Sequence, residues 1–309
     1  MSGSTETGTT ATADRSAEPL RYVGRFAPSP TGALHLGSLL AAVGSYVDAR
    51  ANGGRWLLRI EDIDVPRVVP GSADNILRTL ELFGLEWDGP VEYQSRRTER
   101  YVAALNDLRD RGLAYECSCS RREIGSTDEG GYRGVCRNGP RRPGSTSTRF
   151  RMSDSKTVCF QDRIQGECCN ELDTMGDVVI RRRDGLFAYQ LAVVVDDHDQ
   201  AVTDIVRGAD LLPSTAWQME LRTALNIDAV RHAHLPLLVE RDGSKLAKSK
   251  NSVPIEAAIA GPLILKVLHL LRQSPPEDLE PAPKTALAWA IENWRLDNLR
   301  GIRSVPLLL

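Results

Sequence analysis

Two lysines three residues apart, Lys245 and Lys248, sit in the short loop Gly243-Ser244-Lys245-Leu246-Ala247-Lys248-Ser249. Side chains of this kind can swing onto a triphosphate and meet the charge that develops on a leaving pyrophosphate, and Lys248 lies nearest the loop's exit. A solvated basic loop is the bland reading of the same letters. About 210 residues earlier, Arg25-Phe26-Ala27-Pro28-Ser29-Pro30-Thr31-Gly32 runs into His35-Leu36-Gly37-Ser38. There a helix N-terminus would offer unpaired N–H groups and a partial positive charge. His35 and Ser38 share one face of that first turn and suit phosphate oxygens, while Gly37 leaves room for a flat ring against the backbone. Taken alone, such a His and Ser would be structural or capping residues.

The six cysteines all fall in the middle third of the chain. Cys117 and Cys119, closed by Cys136 after a short loop, can grip Zn²⁺ tetrahedrally if one more ligand is found; buried free cysteines are the other reading. Without a secretory signal, a metal site is favoured over a disulfide framework. Cys159, Cys168 and Cys169 show no partner pattern and read as plain thiols. The net charge of −2 sets up no global positive field, so any nucleic-acid contact must come from local patches. Arg121, Arg122, Arg133, Arg137, Arg141 and Arg142 form one such patch, and Arg181, Arg182 and Arg183 another; both are equally compatible with a solvated face.

The elements that must position these groups begin with a strand over Tyr22 to Ala27, then a proline-bearing loop that cannot be helix. A helix follows from Leu34 to about Ala51, stopped at Asn52-Gly53-Gly54, and a second strand over Trp56 to Ile60. That order opens a parallel α/β sheet, in which ligands bind at the carboxyl ends of the strands. Residues 73–113 read as helical, 117–184 as an insertion rich in Gly, Arg, Ser and Cys. Val193-Val194-Val195 ahead of two acids reads as a buried strand. The tail from about Val253 is expected to be helical, with breaks at Pro262 and near Pro275-Pro276. Residues 1–20 lack the apolar core of a signal peptide and read as a disordered tail, and no apolar run approaches a membrane span, so a cytoplasmic location without a membrane role is expected.

Together the two phosphate-handling motifs resemble the paired signatures of the class I aminoacyl-tRNA synthetases. The family's His-Ile-Gly-His stands here as His35-Leu36-Gly37-Ser38, and its Lys-Met-Ser-Lys-Ser as Lys245-Leu246-Ala247-Lys248-Ser249. Ser38 and Ala247 depart from that pattern; the first departure is common in the glutamyl and glutaminyl branch, the second removes a hydroxyl. The glutamyl branch is singled out by Arg25 to Ser29, Arg59-Ile60-Glu61-Asp62-Ile63-Asp64 with Arg67, Tyr189, Val193 to His198, and Arg207-Gly208-Ala209-Asp210. The likeness covers roughly residues 21–250.

It implies an α/β fold with a Rossmann-like class I catalytic domain split into 21–115 and 186–250, a zinc-containing, RNA-stem-binding insertion at 116–185, and a short helical region at 251–309. It also implies ATP with Mg²⁺, and a glutamate pocket of Arg25, Phe26, Ala27, Pro28, Ser29, Glu61, Tyr189 and Arg207. Two cationic groups and one acid match the two carboxylates and ammonium of L-glutamate. His35, Gly37, Ser38 and Lys248 would bind ATP, with His35, Ser38, Lys245 and Lys248 serving adenylate formation. Tyr132 would be the fourth zinc ligand beside Cys117, Cys119 and Cys136. Only residues 250–309 follow the lysine loop, too few for an anticodon-binding domain. That shortness and the cysteine pattern resemble the glutamyl-Q synthetases, which the resemblance implies place glutamate on queuosine of tRNA(Asp). No obligate protein partner is evident. A truncated synthetase charging a tRNA 3′ end, a zinc-containing RNA-binding module with decayed motifs, and a small-molecule adenylating ligase are the competing readings.

Overall fold

The computed structural model describes residues 22–124, 131–155, 157–240 and 259–307. The lysine loop with Lys245 and Lys248 and the first 20 residues lie outside the described residues.

The chain starts with β1 (Val23–Phe26), every residue of it buried, followed by helix α1 (Leu36–Ala51) and β2 (Arg55–Ile60), which pairs parallel to β1. His35 caps α1 through its side chain, and Gly53 at φ +62° stops it in the left-handed region where glycine is favoured. Next come α2 (Ser72–Leu82), β3 (Glu92–Tyr93) parallel to β2, and α3 (Thr98–Asp110). The helical stretch expected over 73–113 is thus two helices, parted at Gly84 by a connection that carries β3.

The Cys- and Arg-rich stretch holds β4 (Ala114–Cys117), α4 (Arg121–Ile124), β5 (Ser147–Phe150), β6 (Thr157–Asp162), β7 (Gly166–Glu171), α5 (Leu172–Met175) and β8 (Val179–Arg181). β4, β5 and β8 form an antiparallel sheet of their own. The β6–β7 hairpin instead joins the strands that follow: α6 (Tyr189–Asp199), β9 (Asp204–Gly208), α7 (Thr215–Ala224), β10 (Arg231–Leu235) and β11 (Leu237–Val239) lead to a sheet ordered β7-β6-β10-β9. The edges β1 and β9 meet where Thr203 N–H donates to Val23 O and Val23 N–H to Thr203 Oγ1, both at 2.9 Å. Finally α8 (Ala260–Leu270) and α9 (Pro283–Asn293) cover α1, and β12 (Ser304–Pro306) pairs with β11.

Three expectations are corrected. Val193-Val194-Val195 lies in α6, where residues 191–197 are all buried. A short apolar run fits a buried strand and a buried helix equally, and packing of all sides of this run against α3 and α7 decides for helix. Cys159 and Cys169 are not plain thiols but a disulfide; they face each other directly across the antiparallel β6–β7 pair, a register that cysteine spacing alone does not disclose. Cys168 is free and buried. Pro262 sits in the first turn of α8, where a missing N–H costs nothing, so it begins a helix rather than breaking one.

One buried carboxylate ties three layers together. Asp48 of α1 accepts from Tyr22 OH, from Arg163 at 2.6 and 3.1 Å, and from Trp294 Nε1 at 2.9 Å. Removing it leaves the Tyr22 hydroxyl and Trp294 Nε1 without their acceptor and Arg163 with only Asp204 at 3.5 Å, so Asp48→Ala should lower the unfolding free energy by about 3 kcal/mol, against about 1 kcal/mol for Trp294→Phe, as read by denaturant titration.

Candidate active site

A cavity of about 780 Å³ opens at the carboxyl ends of β1 and β9, the point where the strand order reverses and parallel sheets bind ligands. Arg25, Phe26, Ala27, Pro28, Ser29, His35, Gly37, Ser38, Glu61, Tyr189 and Arg207, drawn from residues far apart in sequence, all line it. The loop carrying Pro28 to Gly32 is held in place by hydrogen bonds: Glu61 N–H donates to Pro28 O at 3.0 Å, Val69 N–H to Pro30 O at 2.9 Å, and Ser72 Oγ to Gly32 O at 2.6 Å. Gly32, at φ +140°, takes a conformation open to glycine.

The floor is a buried ionic network. Arg59 on β2 and Glu61 just past its end, two residues apart in extended chain, lie 3.3 Å from each other. Asp197 of α6 sits 2.8 Å from Arg59, 3.2 Å from Arg25 and 4.0 Å from Arg222 of α7. Burial alone would raise the Asp197 pKa; Arg25, Arg59 and Arg222 outweigh it and hold the carboxyl well below the usual range. For Glu61 burial wins over Arg59 and Arg25, and its pKa is pushed up to about 7.

Arg207 is the exception in this network. Buried to 5% exposure, it donates to His234 Nε2 at 3.1 Å, Thr215 Oγ1 at 2.9 Å and Tyr189 OH at 3.4 Å, all neutral groups. Among the described residues no carboxylate lies within 4.0 Å of it. A buried cation that faces a cavity without an anion of its own is a receptor for one.

At the other end of the cavity, Ser38 N–H donates to His35 Nδ1 at 3.1 Å, so His35 does cap α1 while lining the cavity. The nearest atoms to a Cβ built on Gly37 would be those of the His35 ring, at 3.1 and 3.2 Å, so any side chain there would press on the imidazole.

The sulfurs of Cys117, Cys119 and Cys136 lie within 4.8 Å of one another. Cys119 Sγ is 3.5 Å from Cys136 Sγ and 3.6 Å from Tyr132 OH, and Cys136 N–H donates to that hydroxyl at 2.9 Å. Tetrahedral zinc thiolates need ligand separations of about 3.7 Å, so the donor set fits the metal. Arg149 lies over the Tyr132 ring, 4.0 Å from its centroid. Ser120 and Glu123 form a reciprocal capping pair right after Cys119. Two adjacent arginines tie this knuckle to the cavity rim: Arg183 donates to Ser118 O and Cys119 O at 2.6 Å, and Arg182 pairs with Asp64 at 2.7 Å.

Several groups at this site escaped the sequence reading. Arg59 and Asp197 stood inside quoted motifs, and the period of two that puts Arg59 beside Glu61 was the available signal. Arg222, Thr215 and His234 lie in no motif.

The family model for class I tRNA synthetases (E and Q), catalytic domain, matches residues 22–260. The glutamyl-Q tRNA(Asp) synthetase of Ectopseudomonas mendocina is 52% identical over 92% of this chain and 96% of its own length. That of Pseudomonas entomophila is 50% identical over 93% of this chain and 97% of its own. The crystal structure of a glutamate tRNA ligase from Elizabethkingia meningosepticum, in complex with its amino acid, matches with a TM-score of 0.77 at 26% identity, over 93% of this chain and 67% of that one.

Because Glu61 titrates near 7, its carboxylate form is lost as the pH falls through that value. An amino acid whose ammonium relies on Glu61 should bind about tenfold more weakly near pH 6 than near pH 8, and Glu61→Gln should flatten the profile. Calorimetric titration across that range measures it.

Proposed function

The chain belongs to the glutamyl-Q tRNA(Asp) synthetases of the class I (E and Q) family, and from that premise we propose that it activates L-glutamate with ATP and transfers it to queuosine at the wobble position of tRNA(Asp). The observation that carries the amino-acid choice is Arg207, a buried cation whose hydrogen-bond partners among the described residues are all neutral, opposite Glu61 and Arg25 in one cavity.

The glutamate α-carboxylate attacks the α-phosphorus of ATP and pyrophosphate leaves; the adenylate then gives its acyl group to a hydroxyl of the queuosine cyclopentene diol and AMP leaves. No enzyme nucleophile is needed, so the protein's work is positioning and charge stabilisation. Arg25 and Arg207 take the two carboxylates, Tyr189 adds a hydroxyl donor, and Glu61 with Ser29 nearby receives the ammonium. His35 and Ser38 at the α1 terminus would meet the phosphates, Lys245 and Lys248 would serve the same phosphates, and Gly37 would leave room for the adenine. Mg²⁺ accompanies ATP, held largely by phosphate oxygens and water.

Zinc belongs to Cys117, Cys119, Tyr132 and Cys136, supported by their spacing and by the Arg183 brace. When bound, the ion would fix the knuckle that carries the arginine-rich loop. That loop would then meet the anticodon stem-loop, and the whole reaction would take place in the cytoplasm.

Elemental analysis of protein prepared without chelators should find about one zinc per chain, and Cys117→Ser should lose it and loosen residues 116–185 in hydrogen exchange, since a structural metal contributes folding free energy locally.

Charging tests the substrate. Labelled glutamate should enter tRNA(Asp) stripped of its terminal adenosine and fail to enter tRNA from a queuosine-deficient strain. The opposite pattern would mean acylation of the 3′ end, and no glutamate-dependent exchange of pyrophosphate into ATP would mean an RNA-binding module.

A further inference from the structure

What holds Arg207 from behind is an imidazole. A guanidinium carries donors and no acceptor, so the Arg207 Nε–H that points at His234 Nε2, 3.1 Å away, requires that nitrogen to be bare. The ring proton must therefore sit on Nδ1, which lies 2.6 Å from Asp162 Oδ2. Asp162 is itself fixed, because its other oxygen accepts the backbone N–H groups of Ile164 at 2.9 Å, Gln165 at 2.8 Å and His234 at 3.2 Å. Each carboxylate oxygen has its own task.

Both residues are wholly buried, with His234 at 0% and Asp162 at 1% exposure, and neither lines the cavity. The His232 ring stacks on His234 at 5.9 Å, and Phe160 leans on it at 6.5 Å. Burial, followed by the neighbouring Arg207, keeps His234 below its ordinary pKa despite the Asp162 hydrogen bond, in keeping with a neutral ring.

We propose that Asp162 and His234 are positioning residues for amino-acid recognition: the Asp162 carboxylate sets the His234 tautomer, and the bare His234 Nε2 aims the Arg207 guanidinium into the cavity. The proposal rests on the reading above, in which Arg207 receives a glutamate carboxylate. The choice of a neutral acceptor has a chemical reason. A carboxylate in the place of His234 would aim Arg207 equally well but would pair with its charge and weaken its hold on the ligand; imidazole orients without neutralising.

Asp162→Asn separates this relay from mere packing. Its Oδ1 must stay on the three backbone N–H groups, so the amide Nδ2 is turned to His234 Nδ1 and donates to it. The ring proton then moves to Nε2, where it opposes the Arg207 Nε–H. In ¹⁵N-histidine-labelled protein, His234 should be protonated at Nδ1 in the wild type and at Nε2 in Asp162→Asn. The KM for glutamate in adenylate formation should rise about tenfold to a hundredfold, as for a lost hydrogen bond to a charged group, while the KM for ATP and the rate at saturating glutamate hold. His234→Phe, which keeps the ring and removes the acceptor, should repeat the KM effect.

A wild-type glutamate KM in either folded variant overturns the proposal, as does a wild-type His234 protonated at Nε2, or an equal loss for ATP and glutamate. If Asp162→Asn does not fold, the wild-type tautomer and His234→Phe still decide. Failure of the functional reading looks different: wild-type protein would show no glutamate-dependent adenylate formation whatever the tautomer.

Discussion

The site depends on one buried carboxylate shared among arginines. Asp197, 1% exposed, is the common partner of Arg25, Arg59 and Arg222, and through them it joins β1, β2, α6 and α7. Withdrawing any one of these charges from water costs several kcal/mol, and only close pairing repays it. The network is therefore cooperative: without Asp197, Arg25 and Arg222 would lose their carboxylate partner and Arg59 would keep only Glu61 and the more distant Asp196. That cooperativity is what lets the protein keep a strongly charged, water-poor cavity floor in a fixed shape before any ligand arrives, which is the preorganisation that charge stabilisation requires.

Topology supplies the rest of the arrangement. Because β1 and β9 meet edge to edge while their following segments diverge, a crevice opens at their carboxyl ends without any loop having to be hollowed out. α1 points its N-terminus into that crevice from the β1 side, and Arg207 enters from the β9 side. In the proposed reading the phosphate end would rest on helix dipole and backbone N–H groups, and the amino-acid end on buried side-chain charge. The two ends use different physics, and this is why the residues that serve them look so different in sequence.

Legibility followed the same division. The strand, proline loop and helix from Val23 to Ala51 could be read because local signals fix them: apolar strand, prolines that forbid helix, a cap and a glycine stop. The clustering of Cys117, Cys119 and Cys136 was readable because short spacings keep their sulfurs near one another. Asp162 and His234 were not, since a relay between β6 and β10 exists only once that pair of strands is in register. The Cys159–Cys169 bond depends on register in the same way. Val193 to Val195 misled because β-branched residues favour strands only weakly, and burial on all sides of α6 overrides that preference.

Charge balance explains why the unpaired arginine is tolerable and useful. At the cavity floor Arg25, Arg59, Arg207 and Arg222 face Asp197 and a Glu61 that is only partly ionised near neutrality, while Asp196 is taken mainly by Arg97 at 2.6 Å, so the floor by itself carries excess positive charge. A ligand with two carboxylates and one ammonium changes this in two ways. Its ammonium, placed next to Glu61 as proposed, would draw that carboxyl into its ionised form, and its second carboxylate would give Arg207 the anion that His234, Thr215 and Tyr189 do not supply. An amide ligand offers the same shape with one negative charge fewer and leaves a desolvated guanidinium unmatched, a penalty of the kind that separates hydrogen-bonding substrates from their near-isosteres by large factors. In the proposed reading, selectivity would reside less in any contact made to the ligand than in the carboxylate that the described residues withhold from Arg207.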